Sequence, residues 1–131
     1  MITIDELYQE IADVLVEIVP ERWSKILVNA RVEQMDSKVF LYYYPTKKDE
    51  AICGDEIPVK FKAYKSLYPQ LLEELEVTFS QLWYAVKEQE NETFTNVTYI
   101  INGDGEIDVK YSELDDIEDD VFISQWKEKF L

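Results

Sequence analysis

The sequence contains no histidine, one cysteine and only three glycines among its 131 residues. Without histidine there is no serine–histidine or cysteine–histidine catalytic pair and no imidazole ligand for a metal. The lone Cys53 excludes an internal disulfide and a zinc site built from several thiolates. The glycines, Gly54, Gly103 and Gly105, do not form the glycine-rich loop that cradles phosphate groups. These absences argue against an enzyme.

Long apolar runs are also missing. No stretch approaches the roughly 18 residues that span a bilayer, and the first residues lack the basic and apolar segments of a secretory signal. We therefore expect no membrane association and a cytoplasmic location. The chain is nevertheless 47% hydrophobic and 14% aromatic. That composition excludes disorder and provides the core of a single domain over residues 1–131.

Basic residues are scarce, at 13 against 28 acidic ones, so the formal net charge is −15. Such a charge repels nucleic acid and anionic lipid and attracts basic partners. The densest part is residues 104–120, here called the acidic segment, where nine acidic residues stand against Lys110 alone and the net charge is −8. Self-repulsion in this segment favours a basic partner, with solubility alone as the alternative interpretation.

Apolar residues recur with the 3.6-residue period of a helix in three places. The first stretch opens with a capping box that Thr3 begins, and it ends before Pro20. The second covers residues 66–90. The third is a short C-terminal helix that Asp119 or Asp120 can cap.

Alternating residues predict two β-hairpins. Residues 25–33 and 39–44 form the first, and residues 93–101 and 106–111 form the second around an Asn-Gly-Asp-Gly turn. A further short strand is expected within residues 51–57. The predicted fold is α+β: an antiparallel sheet of about four to five strands, packed with an N-terminal, a long central and a short C-terminal helix in the order α-ββ(β)-α-ββ-α.

The strand over residues 39–44 is apolar or aromatic on both faces. One face must cover helices, and the other is either covered by a further element or exposed. If it is exposed, Tyr42 and Tyr44 are candidate aromatic anchors for a partner, together with Trp126 of the last helix. The alternative is that these side chains belong to the core.

Three carboxylates, Asp104, Glu106 and Asp108, are spaced so that they would share one face of a strand. Such a face could hold a hard cation weakly, and a solvated acidic surface is the alternative. The calcium-loop pattern fails, because placing Gly105 at its sixth position puts Ile100 at the first ligand position. We expect no metal, cofactor or catalytic site, and we keep a carboxylate–metal hydrolase as a less favoured alternative.

Several motifs together resemble the YezG-type immunity proteins, which neutralise bacterial polymorphic toxins made by the same cell. The motifs are Ile-Val-Pro-Glu-Arg-Trp at residues 18–23, the Val-Phe-Leu-Tyr-Tyr-Tyr strand at 39–44, Glu-Ile-Pro at 56–58, Gly-Glu-Ile-Asp-Val at 105–109 and Trp-Lys-Glu-Lys-Phe at 126–130. The resemblance covers nearly the whole chain.

The resemblance implies a stoichiometric inhibitor that forms a heterodimer with a basic toxin of the nuclease class and that contacts neither nucleic acid nor membrane. Its carboxylates would face the lysines and arginines of the toxin. The candidate residues are Asp108, Glu113, Asp115, Asp116, Glu118, Asp119 and Asp120. Two rival interpretations remain open: an acidic regulator or adaptor that mimics nucleic acid, and a homodimer formed through the aromatic sheet face.

Overall fold

The structure is a computed structural model that describes residues 2–33, 36–113 and 118–131. Within these ranges the chain forms four helices and five strands. In chain order they are α1 (Ile4–Ile18), β1 (Trp23–Glu33), β2 (Asp36–Pro45), β3 (Ile52–Cys53), α2 (Ile57–Lys60), α3 (Leu67–Glu90), β4 (Asn96–Asn102), β5 (Ile107–Ser112) and α4 (Asp119–Phe130).

Local chemistry explains where the two long helices begin and end. The Thr3 hydroxyl accepts a hydrogen bond from the Glu6 backbone N–H at 3.1 Å, which caps the first turn of α1. Pro69 lies in the first turn of α3, where its missing N–H breaks no helical hydrogen bond. Asn91 ends α3 in the left-handed conformation, with φ at 55°.

The five strands form one antiparallel sheet in the order β3-β2-β1-β4-β5. The central strand β1 joins the two hairpins, since Val28 lies opposite Leu41 on one side and Tyr99 on the other. The predicted α+β fold and its antiparallel sheet are confirmed. The expected strand within residues 51–57 is only Ile52–Cys53, because Gly54–Glu56 form a 3₁₀ turn and α2 begins at Ile57, with Pro58 in its first turn.

Helices lie on both faces of the sheet. α1 and α3 pack side by side on one face and bury the main core, which includes Leu15, Val28, Phe79 and Tyr99. α4 covers the other face and buries a smaller cluster of Leu27, Tyr42, Ile100, Phe122 and Trp126. The structure corrects the predicted cap of α4, because Glu118 occupies the N-cap position and Asp119 and Asp120 lie in the first helical turn.

Candidate partner-binding surfaces

The aromatic face of the sheet lies beneath α4. Tyr42 is 7% exposed and Trp126 is 4% exposed, and their ring centroids are 5.6 Å apart. Tyr44 is half-buried, and its hydroxyl donates to the Leu131 carbonyl at 3.2 Å. Of the two alternatives for Tyr42 and Trp126, exposed anchor or core residue, the structure shows the second, because α4 packs on this face and buries both rings between the helix and the sheet. The premise of a homodimer through this face fails for the same reason.

A buried polar cluster sits between the sheet and α4. Asn29 and Asn96 exchange two side-chain amide hydrogen bonds, at 3.1 and 2.9 Å, across the β1–β4 pair. The Thr98 hydroxyl accepts from the indole N–H of Trp126 at 3.0 Å. Since a buried amide without a partner is costly, these bonds fix both the strand pairing and the position of α4.

Asp119 anchors the start of α4 to the sheet. Its carboxylate oxygens lie 2.5 Å from the Arg31 guanidinium and 2.5 Å from the Lys38 ammonium. The hydrogen bond from Lys38 is the main cause that lowers the pKa of Asp119, and Arg31 acts in the same direction. Arg31 also lies over the Phe122 ring, with its guanidinium carbon 4.9 Å from the ring centroid. Of the acidic residues singled out in the sequence, Asp119 is therefore engaged within the chain.

The other described carboxylates of the candidate set form no ion pair within the described residues. Asp108, Glu113, Glu118 and Asp120 are all exposed. Because Val109 packs against the main core, its strand neighbour Asp108 lies on the α4 side of β5. Asp115 and Asp116 lie outside the described residues.

The shared carboxylate face that the less favoured cation-binding alternative requires does not form. Asp104 lies in the turn before β5, where its carboxylate accepts from the Glu106 backbone N–H at 2.9 Å, and the strand begins only at Ile107. The three carboxylates therefore do not follow the two-residue period of one strand. Across residues 2–33, 36–113 and 118–131, no group of three or more acidic or cysteine side chains is placed to hold a metal ion.

A second acidic surface was missed in the sequence. α1 carries five acidic residues and no basic one, and α3 carries five acidic residues and Lys87. Because the two helices pack side by side, their outer sides, here called the helical face, bring together a net charge of −9. This exceeds the charge of the acidic segment. The sequence signal was a repeated carboxylate stripe on the polar side of each amphipathic helix.

A groove of about 580 Å³ runs between α1 and α3 on this helical face. We call it the α1–α3 groove. Val14 and Val77 provide apolar surface in it, and Val77 is 52% exposed. Four exposed carboxylates line it: Glu10, Asp13, Glu73 and Glu74. The remaining lining residues, Gln70, Thr78 and Gln81, are uncharged.

Many tyrosines serve as core residues with hydroxyls that reach the edge of the core. Burial is the main cause that raises the pKa of Tyr42 to about 12. Burial also raises the pKa values of Tyr8, Tyr43, Tyr68, Tyr99 and Tyr111 above 10. The Tyr8 and Tyr111 hydroxyls hydrogen-bond to each other and connect α1 to β5. These groups are structural, since each remains neutral near physiological pH.

The fold and these surfaces are those of a small acidic α+β protein that presents carboxylates on both sides of its sheet. The family model for YezG-like immunity proteins matches residues 4–130. The chain therefore belongs to the YezG-like immunity protein family, and an immunity role is the role of that family.

Individual relatives agree with this assignment. The chain is 30% identical over 122 residues to the immunity protein YezG of Bacillus spizizenii, covering 93% of this chain and 76% of that protein. It is 29% identical over 112 residues to YezG of Bacillus subtilis, covering 86% and 74%. It is also 23% identical over 112 residues to the type VII secretion system protein EsaG of Staphylococcus aureus, covering 86% and 69%. None of the helices in the described ranges is both long enough and apolar enough to cross a membrane.

Proposed function

We propose that this protein binds a cognate toxin in the cytoplasm and neutralises it stoichiometrically, as a heterodimer and without catalysing a reaction. Membership of the YezG-like family supports the immunity role. The observation that carries the choice of partner is the charge: carboxylates are exposed on both sides of the sheet, and the chain's net charge is −15. A partner with a basic surface complements such a protein.

A nuclease domain is the partner class that this charge fits best. A nuclease needs a basic groove to hold the phosphates of its substrate. An acidic protein that occupies or shields this groove competes with the substrate for the same cations. The proposed partner is therefore a basic nuclease toxin, and inhibition arises from binding alone.

The acidic segment contributes mainly through its field. Asp108, Glu113, Glu118 and Asp120 are exposed, and Asp115 and Asp116 belong to the same stretch of sequence. Exposed charges of one sign accelerate the encounter with a basic partner by long-range attraction, which salt screens beyond about 10 Å at 0.1 M. Asp119 is assigned to the anchoring of α4, and Tyr44 remains as a partly accessible aromatic contact.

The first experiment is a pull-down with this chain as bait in lysate of its native cell, followed by identification of what survives a wash at moderate salt. The retained polypeptide is then expressed in a heterologous host, with and without this chain. We expect a basic polypeptide at one-to-one stoichiometry that degrades nucleic acid and is lethal alone but harmless when co-expressed. A retained partner without toxicity would refute the proposal and favour an acidic regulator that mimics nucleic acid.

Charge reversal tests the contribution of the acidic segment. Asp108→Lys combined with Glu113→Lys removes exposed carboxylates that make no ion pair with any described residue. We expect association with the captured toxin to slow by about three- to tenfold at low ionic strength, with a weaker dependence on salt. An unchanged association rate would exclude this segment from steering while leaving the immunity role intact.

A further inference from the structure

We propose that the α1–α3 groove is the contact surface on which a basic amphipathic helix of the partner docks. The inference rests on the proposed function, since it assigns the surface through which the toxin is held. The groove combines apolar surface with a carboxylate rim, and both features follow from the packing of two helices that lie more than 45 residues apart in the sequence.

Among the residues that the structure describes, no element covers the apolar part of the groove. Val14 is half-buried and Val77 is 52% exposed, and the described residues that line the groove around them belong to α1 and α3. Tyr84, which is 41% exposed, lies two turns after Val77 on the same side of α3, beside a smaller depression that Val77 also lines. Together these side chains form an exposed apolar patch, and such a patch with a polar rim is a candidate contact surface.

The rim carries unneutralised charge. Within the described ranges, none of Glu10, Asp13, Glu73 or Glu74 forms an ion pair with a lysine or arginine. This differs from Asp119, which two cations of the same chain already neutralise. The helical face has a net charge of −9, so its carboxylates repel one another. The lysines and arginines of a partner would relieve this repulsion and add attraction.

The shape of the groove favours a helix as the occupant. The lining residues of α1, Glu10, Asp13 and Val14, follow helical spacing, and so do Glu73, Val77 and Gln81 of α3. A third helix packs into the groove between two others by fitting its ridges between theirs. α1 is 15 residues long, or about 22 Å, so a partner helix of similar length spans it. Its apolar residues would contact Val14 and Val77 while its lysines and arginines reach the rim.

We assign direct contact with the partner to the groove and long-range attraction of the partner to the acidic segment. A standard interface covers about 800 Å² per partner, which is roughly a tenth of the 8032 Å² surface of this chain. The helical face and the α4 side lie on opposite faces of the sheet, so a single interface of that size contacts only one of them. We place the contact at the groove because apolar surface and unpaired carboxylates coincide there.

Two variants with the same change in net charge test this assignment. Glu10→Lys with Glu73→Lys reverses the groove rim, and Asp108→Lys with Glu113→Lys reverses two carboxylates of the acidic segment that do not line the groove. All four side chains are exposed, so both variants should fold, which thermal unfolding checks. Binding kinetics are measured with the toxin isolated in the pull-down.

We expect the groove variant to raise the dissociation constant at least about 100-fold, mostly through faster dissociation, because buried contacts govern dissociation. The control variant, Asp108→Lys with Glu113→Lys, should change the association rate only. A third variant, Val77→Ser, alters no charge and should speed dissociation about tenfold. Equal effects of the two charge variants, or faster dissociation in the control alone, would overturn the groove assignment.

A synthetic peptide provides a readout that needs no toxin. The probe is about as long as α1, with leucines at i, i+3, i+4 and i+7 and with lysines and arginines between them. The control peptide has the same composition in an order without helical period. By NMR of the labelled protein, the periodic peptide should shift the signals of Val14, Val77 and Thr78 and leave those of β5 unchanged.

The outcomes separate the two proposals. Shifts spread equally over both acidic surfaces, or identical shifts with the aperiodic peptide, would show attraction by charge alone and overturn the groove. A captured partner that is not toxic refutes the immunity function even where the groove binds it. If the protein neutralises a toxin but its groove variant binds that toxin as the Asp108→Lys, Glu113→Lys variant does, only the groove assignment is refuted.

Discussion

The burial of Trp126 between α4 and the sheet leads to the sharpest stability prediction. Trp126→Ala removes a side chain that is 4% exposed, stacks on Tyr42 and Phe130 at centroid distances of 5.6 and 5.3 Å, and donates to Thr98. If α4 is docked as described, this single truncation should loosen the whole helix from the sheet.

The magnitude follows from the contacts that are lost. Truncation of a buried aromatic residue to alanine costs about 3–5 kcal/mol through lost transfer free energy and the cavity left behind. The Thr98 hydroxyl also accepts from the Asn29 amide at 3.4 Å, so its loss of the indole N–H adds little. For a domain of this size the cost corresponds to a fall of roughly 10–20 °C in Tm.

The assay is urea unfolding followed by far-ultraviolet circular dichroism, which does not depend on the tryptophan that is removed. Trp126→Phe should cost less, about 1–2 kcal/mol, since it retains ring contacts but loses the hydrogen bond. Val121→Ala is the matched control on the same helix, because Val121 is 47% exposed and should change stability by no more than about 0.5 kcal/mol. A cost below about 1 kcal/mol for Trp126→Ala would refute the docking of α4.

Three further predictions concern titration and the buried polar cluster. Asp119→Asn should lower the Tm by roughly 2–5 °C near neutral pH; because its folded pKa is lowered, this difference should shrink as pH falls below about 4, and a constant difference would contradict the ion pairs. The raised pKa values of the buried tyrosines stabilise the fold fully below pH 10, the pKa of an unfolded tyrosine, and this stabilisation is lost as the pH rises through the folded values. Alkaline unfolding should therefore begin above pH 10, and tyrosinate absorbance should rise as circular dichroism is lost. Titration of Tyr42 at pH 10 in the folded state would contradict its burial. Asn29→Ala and Asn96→Ala should each cost about 1–3 kcal/mol, with the double variant costing clearly less than their sum; additive costs would refute the paired amides.

The sequence predicted the individual elements well where one local signal decided them. The capping threonine and regular apolar stripe gave α1, and the Asn-Gly-Asp-Gly turn gave the second hairpin, because both signals act over a few residues. The strand expected within residues 51–57 was too long, since its apolar residues do not reveal that the chain turns at Gly54 and that a helix begins at Ile57. The sequence left open whether Tyr42 and Trp126 are exposed or buried, because exposure of a strand face depends on what packs against it.

The candidate site illustrates the same limit. The acidic segment is contiguous, so counting charges along the chain found it. The helical face is assembled from α1 and α3, and neither helix alone reaches its net charge of −9. Asp119 looked identical to its neighbours in the sequence, and only the fold places it against Arg31 and Lys38, which are more than 80 residues away.

The sequence by itself determined the class of this protein: its secondary-structure order, its large negative charge and its resemblance to immunity proteins. These properties are sums over residues or patterns within one element, so they need no knowledge of distant contacts. The tertiary structure decided which carboxylates are neutralised within the chain, which aromatic residues are buried and where apolar surface meets unpaired charge. Those outcomes depend on contacts between residues far apart in sequence, which only the packing of helices on the two faces of the sheet creates.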